Sequence, residues 1–381
     1  MRYREFKLVE SRVYLKEGAR IDHAEDIVFW EGSRGAIRAL ESLKSLEKGK
    51  HTDVTIKWDG SPAIIFGRDE NGEFILTDKS GFGAKGYDGK SKSGEELEQM
   101  FLNRSGGKNR ENPGYVAFAG NMRSIFDLYE RATPKDFRGF LKGDLLYYTT
   151  PPVKNNNYVF KPNIVEYAVD VDSDLGKRIG QSKTGVVVHR LVDVEGNESE
   201  VPKGIDFQGN DVLIFPSVTV ERAPEIEDES INQLKADVAK NAGAIDKLLD
   251  TNALTQLKIS DFANVLYAYT NSKVDTGLED LGADFFDWMA RSKLSANKQK
   301  NIATHIQNNQ AGFNAIWQVV SGIMRIKDDV IRQFDSHNQT VKSSIPGHGE
   351  GGEGYVLAHP QGDVKLVPRE YFTRANRAVQ R

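Results

Sequence analysis

Thr55-Ile-Lys-Trp-Asp-Gly-Ser-Pro-Ala-Ile-Ile-Phe66 sets a lysine, Lys57, on an apolar strand-like run just ahead of an Asp59-Gly60 turn. A second apolar run, Ala63–Gly67, follows the turn. One reading is a plain β-hairpin, since Asp-Gly is a strong hairpin turn signal and a strand lysine is ordinarily solvated. The other is an amine held out of water, which loses part of its proton affinity and can act as a nucleophile. Four residues cannot separate the two, so the rest of the chain has to.

Composition narrows the classes. The chain has 381 residues, long enough for two domains or for one domain with a large insertion. Its formal net charge is −4, so there is no global basic field, and a nucleic-acid contact would have to come from a local patch. There are no cysteines, which excludes disulfides, thiolate catalysis and cysteine zinc sites. Met1-Arg-Tyr-Arg-Glu-Phe6 is not a secretory segment, and no run of 18 apolar residues occurs. A soluble, cytoplasmic protein with no membrane partner is expected.

Residues 1–222 read mostly as strands and turns, with one amphipathic helix near Glu31–Glu47, where Ile37, Leu40, Leu43 and Leu46 form a stripe. Strand-like runs are Val54–Lys57, Ala63–Gly67, Glu73–Leu76, Phe140–Tyr148, Ile164–Val171 and Gly185–Val192. The Gly- and Lys-rich stretch Asp78–Gly94 reads either as a phosphate cradle or as a solvated loop. An acidic linker, Ala223–Ser230, leads into a helical pattern with breaks near Asn252, Gly277 and Leu294. There Phe262, Val265, Leu266 and Tyr269, and again Ile316, Val319, Val320 and Ile323, mark packing faces. Strand texture returns at Gly354–Ala358 and Asp363–Val367. The division expected is 1–222, 223–342 (helical insertion) and 343–381.

The two ends of the chain then speak to each other. Lys57-Trp-Asp-Gly60, Thr77-Asp-Lys-Ser-Gly81, Phe140-Leu-Lys-Gly-Asp-Leu-Leu-Tyr147, Glu166-Tyr-Ala-Val-Asp-Val171, Gly352-Glu-Gly-Tyr-Val-Leu357 and Asp363-Val-Lys-Leu-Val367 follow one another. In that order they resemble the motifs of the covalent nucleotidyltransferases, the superfamily of ATP-dependent DNA and RNA ligases and GTP-dependent capping enzymes. The match covers about 30–190 and 345–381, with the helical insertion outside it. The resemblance implies an α+β, ATP-grasp-like ligase core of two antiparallel sheets around a nucleotide cleft. It implies ATP as nucleotide and Mg²⁺ (or Mn²⁺) as metal. It implies catalytic roles for Lys57, the covalent acceptor, and Lys365, which would neutralise the α-phosphate. Asp59 and Lys79 would join them in binding the nucleotide, with Glu353 as metal ligand. Asp144 would meet the ribose hydroxyls or a metal-bound water as the second residue of the metal site, or be an exposed strand-end carboxylate. Tyr167 would be a purine-stacking face or an ordinary core ring. His189 and His348 carry no assigned role.

Three departures shape the functional expectation. Pro62 stands where DNA ligases carry an arginine, and Asp-Gly-Ser is closer to phage-type RNA ligases. Val367 stands where the last motif has a second lysine, a place Arg369 or Lys161 could fill. The sequence ends soon after Lys365, with no room for the C-terminal oligonucleotide-binding barrel. The function expected is an ATP-dependent polynucleotide ligase joining 5′-phosphate to 3′-hydroxyl ends of RNA or RNA-containing nucleic acid. Lys85, Lys90, Lys92, Arg104, Lys108, Arg110, Arg374 and Arg377 would form its salt-sensitive strand-binding surface. The alternatives are a DNA ligase that lost its barrel and grips duplex with the helical insertion, or a non-catalytic nucleotide- or nucleic-acid-binding protein on the same fold.

Overall fold

The computed structural model describes residues 22–48, 54–82, 93–193, 197–201, 207, 209–220, 222–275, 277–337, 340–347, 349–358 and 363–379. In chain order the strands are β1 (Asp22–His23), β2 (Val54–Ile56), β3 (Ala63–Arg68), β4 (Phe74–Asp78), β5 (Gly139–Tyr147), β6 (Val153–Lys154), β7 (Asn157–Phe160), β8 (Glu166–Asp170), β9 (Thr184–Val192), β10 (Glu198–Ser199), β11 (Val212–Ile214), β12 (Val341–Ile345), β13 (Gly349–Glu350), β14 (Tyr355–Leu357) and β15 (Val364–Leu366). The helices are α1 (Ile27–Ser45), α2 (Lys79–Phe82), α3 (Gly94–Asn103), α4 (Pro113–Ala132), α5 (Asp174–Gln181), α6 (Asp228–Leu248), α7 (Thr251–Gln256), α8 (Phe262–Ser272), α9 (Phe285–Arg291), α10 (Ala296–Asn308), α11 (Gln310–His337) and α12 (Arg369–Val379).

The molecule is α+β, and among the described residues its strands form three sheets rather than the expected two. One runs β1-β15-β14-β2, one β10-β9-β5-β3-β4 with β11 beside β9, and one β13-β12-β8-β7-β6. Pairing is antiparallel except for β1 with β15 and β11 with β9. The hairpin reading of Lys57 fails at this level. β2 pairs with β14, whereas β3 pairs with β4 and β5, so residues 57–62 cross between two sheets instead of turning back within one. That crossing is pinned at its far end, where Ser61 N–H donates to Leu145 O (2.9 Å) and Leu145 N–H to Pro62 O (3.0 Å).

The first half is more helical than its sequence texture suggests. α3 is capped by Ser93, which accepts from Glu96 N–H, and α4 is capped by Asn112 with Pro113 opening its first turn. Their apolar faces, including Leu97, Phe101, Met122 and Phe126, pack with Ile64, Phe66 and Leu76 of β3 and β4.

Among the described residues the segment from α6 to α11 is built of helices joined by turns, and the packing faces read from sequence are buried, including Phe262, Leu266, Tyr269, Ile316, Val320 and Ile323. It is not a free-standing appendage. Its core is continuous with α1 (Leu40, Leu43) and with Val54, Tyr355, Leu357, Val364 and Leu366 of the β1-β15-β14-β2 sheet. Ser33 N–H and Oγ both donate to the Asp246 carboxylate, at 2.7 and 2.8 Å. A third cluster, with Trp58, Tyr147, Phe160, Tyr167, Phe215 and Val367, fills the space where the three sheets approach one another.

Candidate active site

Lys57 emerges from β2 at that junction. Its backbone N–H donates to Gly354 O (2.9 Å), extending the β2–β14 ladder by one residue. Its Nζ contacts Glu353 Oε1 directly, across 296 positions of sequence. The pair is largely enclosed, with the Lys57 side chain 24% and that of Glu353 15% exposed. Glu350, the other acid of this loop, is exposed. Gly354 makes the approach possible: its φ is +115°, and a Cβ there would sit 2.1 Å from Leu366 O.

Burial raises the proton affinity of Glu353 above the ordinary carboxylate range. The Lys57 ammonium opposes this, while the negative charges of Asp59 and Asp144 add to it.

Lys365 lies on the same sheet. The register places Thr55, Val356, Lys365 and His23 in one row across β2, β14, β15 and β1. Strand alternation puts Lys57, two residues beyond Thr55, on the same face as that row. The lysine strands are separated by one intervening strand, about 10 Å.

Asp59 has a different place from the nucleotide contact expected of it. It is buried, and its carboxylate accepts from Asn163 Nδ2 (2.9 Å), Ile164 N–H (2.9 Å) and Val165 N–H (3.0 Å). It ties the crossing segment to the chain leading into β8. Asp59→Ala leaves these three donors without their acceptor. It is expected to lower stability by about 2–3 kcal/mol in urea unfolding.

Tyr167 is a core ring and not a wall of a cleft. It is fully buried, with Trp58 at 4.7 Å and Phe160 at 5.6 Å between ring centroids, and its hydroxyl oxygen accepts from Asp59 N–H (2.6 Å). A purine could stack on it only by displacing those rings. Burial pushes its hydroxyl well above the usual tyrosine range, with the Asp59 N–H bond opposing.

Asp144 sits on β5 opposite Ala63, and the close approach of Gly60 holds it near the crossing: a Cβ on Gly60 would meet Asp144 Cβ at 2.6 Å. Sequence reasoning passed over its partner. His189 Nε2 lies 2.9 Å from Asp144 Oδ2. The register of β5 against β9 steps from Lys142↔Arg190 to Gly143↔Val188, so His189 is the extra residue of a β-bulge. Bulges re-aim side chains and recur beside active sites. The run Val186-Val-Val-His189 gives no sign of the bulge.

The remaining candidates lie apart. Lys79 opens α2; its side chain and residues 83–92, with Lys85, Lys90 and Lys92, lie outside the described set, as does His348. The basic surface is largely committed elsewhere. Arg104 makes a bidentate pair with Asp78 (2.6 and 2.7 Å). Arg110 donates to Gln99 and Asn103, and Arg374 and Arg377 pair with Glu370 and Asp275. Val367 is buried in the core. Arg369 does not stand in for the missing lysine, because it is buried in ion pairs with Asp26 and Glu25.

Fold and site together define an α+β protein with a shielded Lys–Glu pair where three sheets meet. A family of unknown function, DUF6267, matches residues 19–88 and 114–381, and the chain belongs to it. Lys57, Asp144, Tyr167, Glu353 and Lys365 all fall inside the matched residues, whereas Lys90, Lys92, Arg104, Lys108 and Arg110 fall in the gap. No curated protein and no solved structure matches the chain. No helix among the described residues is long and apolar enough to cross a membrane.

Proposed function

We propose that the chain is an ATP-dependent polynucleotide ligase on a nucleotidyltransferase core, with Lys57 as the residue that carries AMP. The observation behind this reading is the contact of Lys57 with Glu353. Two motifs at opposite ends of the sequence meet in a shielded place, with Lys365 on the same sheet face. In the first step the neutral Lys57 amine attacks the α-phosphorus of ATP. The Nζ–P bond forms, the α–β bridging P–O bond breaks, pyrophosphate leaves, and the ammonium proton departs to solvent, to which Lys57 remains partly open. A 5′-phosphate oxygen then attacks the phosphorus and returns Lys57 as an amine. Finally a 3′-hydroxyl attacks the activated 5′-phosphate and AMP leaves.

Glu353, with Asp144 across the crossing, would be the residues to hold a divalent cation, with substrate oxygens and water completing its shell, since no cluster of three or more metal-binding side chains occurs among the described residues. Glu353 is shielded and feels the negative charges of Asp59 and Asp144, and Mg²⁺ favours one or two carboxylates completed by phosphate oxygens and water. When bound, the ion would offset the charge of the phosphates. Lys57 would have to exchange Glu353 for the nucleotide, and Lys365 is placed to meet the phosphate.

The reading is tested by incubating the protein with α-labelled ATP or GTP and Mg²⁺ and following label on the protein. Label from ATP is expected; no covalent label from either nucleotide would overturn it. Sealing of nicked RNA, nicked DNA and hybrids then ranks substrates. Gly60→Ala pushes against the Cβ and backbone of Asp144 and is expected to slow labelling about tenfold or more and to lower the urea midpoint as well.

One observation favours a second reading. Val367 lies in the core and supplies no second cation, which suits a chain that binds nucleotide or nucleic acid without turnover. Reversible ATP binding with no label would select it.

A further inference from the structure

We infer that Asp144 and His189 form a two-ligand seat for a divalent transition-metal cation. The inference deepens the ligase reading and rests on it only for the nucleotide phosphates that would complete the shell of the ion.

The backbone builds the seat. β5 and β9 pair as far as Lys142↔Arg190, and the bulge then sets His189 between that pair and Gly143↔Val188. Gly143 lets the strands close there, since a Cβ on it would stand 2.2 Å from Val187 O and 3.0 Å from Val188 Cα. The extra residue carries His189 Nε2 to 2.9 Å from Asp144 Oδ2. Stability does not account for this arrangement. The His189 side chain is 43% and that of Asp144 30% exposed. An ion pair so open to water adds little, whereas a bulge gives up regular ladder pairing.

The spacing suits a cation. Two ligands at adjacent corners of an octahedron, with bonds of about 2.1 Å, stand about 3 Å apart. Neighbouring side-chain cations are engaged elsewhere: Lys142 is paired with Glu198, and Arg190 Nη1 donates to His189 O. The charge of Asp144 is felt at Glu353, so an ion seated here would act on the Lys57–Glu353 pair. Two protein ligands leave most of its shell to water and phosphate oxygens, as an ion that engages substrate requires.

Ligand type selects the ion. Mg²⁺ is served by oxygen ligands. An imidazole nitrogen beside a carboxylate favours first-row transition metals, with affinity rising from Mn²⁺ towards Ni²⁺.

The test is titration of the full chain, carrying no histidine tag and no nucleotide, with Mn²⁺, reading the free ion by electron paramagnetic resonance. Ni²⁺ or Mg²⁺ then competes. Ni²⁺ should displace Mn²⁺ at concentrations about tenfold or more below those that Mg²⁺ needs. His189→Gln and Asp144→Asn should each weaken Mn²⁺ binding about tenfold or more, with metal-free melting temperatures unchanged. Mn²⁺ binding that His189→Gln leaves intact would reduce His189 to a hydrogen-bond partner of Asp144 and overturn the inference. So would the absence of bound Mn²⁺, or displacement by Mg²⁺ as readily as by Ni²⁺. Because no nucleotide is present, the two readings fail separately. A chain that binds Mn²⁺ through His189 yet takes no label from ATP keeps this seat and loses the ligase assignment.

Discussion

Lys57→Ala is expected to abolish transfer of label from α-labelled ATP to the protein, a loss on the order of 10³-fold or more, the scale at which removal of a nucleophile is felt. Lys57→Arg sharpens the test. Arginine keeps a positive charge against Glu353, and so keeps the fold, but its guanidinium stays protonated and cannot attack phosphorus. A purely structural ion pair would survive that change, and any labelling would persist in the arginine variant. A covalent acceptor would not, and both variants should be equally dead. Glu353→Gln separates the partners further. It preserves the shape of the side chain, removes the charge from a desolvated place, and should cost labelling about 10²–10³-fold. Label that persists in Lys57→Ala would mean another residue is modified, and the assignment of Lys57 would fall.

The site was legible in proportion to how local its cause was. Lys57 and Glu353, 296 positions apart, could be connected from sequence only through the order of motifs that resembles the covalent nucleotidyltransferases, each motif marked by a glycine, Gly60 and Gly354. Gly354 in particular has a backbone conformation, φ +115°, that accounts for its place after the acid. The ring of Tyr167 could not be placed, since nothing in Glu166-Tyr-Ala-Val-Asp170 says which sheet face closes over it. Trp58 and Phe160 do that from elsewhere in the chain. Asp59 reads as a turn acid, and its three acceptor contacts depend on residues 163–165 arriving from a different sheet. The bulge at His189 is likewise a property of pairing with β5 and not of its own strand. At the level of the fold, the periodicity of α6–α11 was plain because each helix buries one stripe. α3 and α4 were missed because they lie among strand-like runs and are announced mainly by the caps Ser93 and Asn112.

The second large effect is expected at a site with no chemistry of its own. Lys327 of α11 and Glu25, just ahead of α1, are both fully buried and paired at 2.9 Å. Arg369 of α12 reaches Glu25 at 3.6 Å and grips Asp26 with both guanidinium nitrogens. This knot joins the helical segment, the start of the described chain and the strand that carries Lys365, which neighbours His23. Lys327→Met leaves the Glu25 charge buried with a weaker partner and should destabilise by about 3–5 kcal/mol. Adding Glu25→Leu removes the stranded charge, so the double variant should recover most of that loss; strict additivity of the two would contradict the pairing. Acid supplies an independent check. Burial alone would raise the Glu25 pKa, but Lys327 first and Arg369 next outweigh it and hold the carboxyl at about 2, below its ordinary 4.5. A group whose folded pKa is depressed contributes stability above its unfolded pKa and loses it as pH falls through the folded one. The Glu25 contribution should therefore be intact above the ordinary carboxylate range and drain away as the pH falls through its depressed folded value. Urea unfolding across that window should show a shallower acid limb in the double variant than in the wild type, and parallel limbs would place the stabilising charge elsewhere.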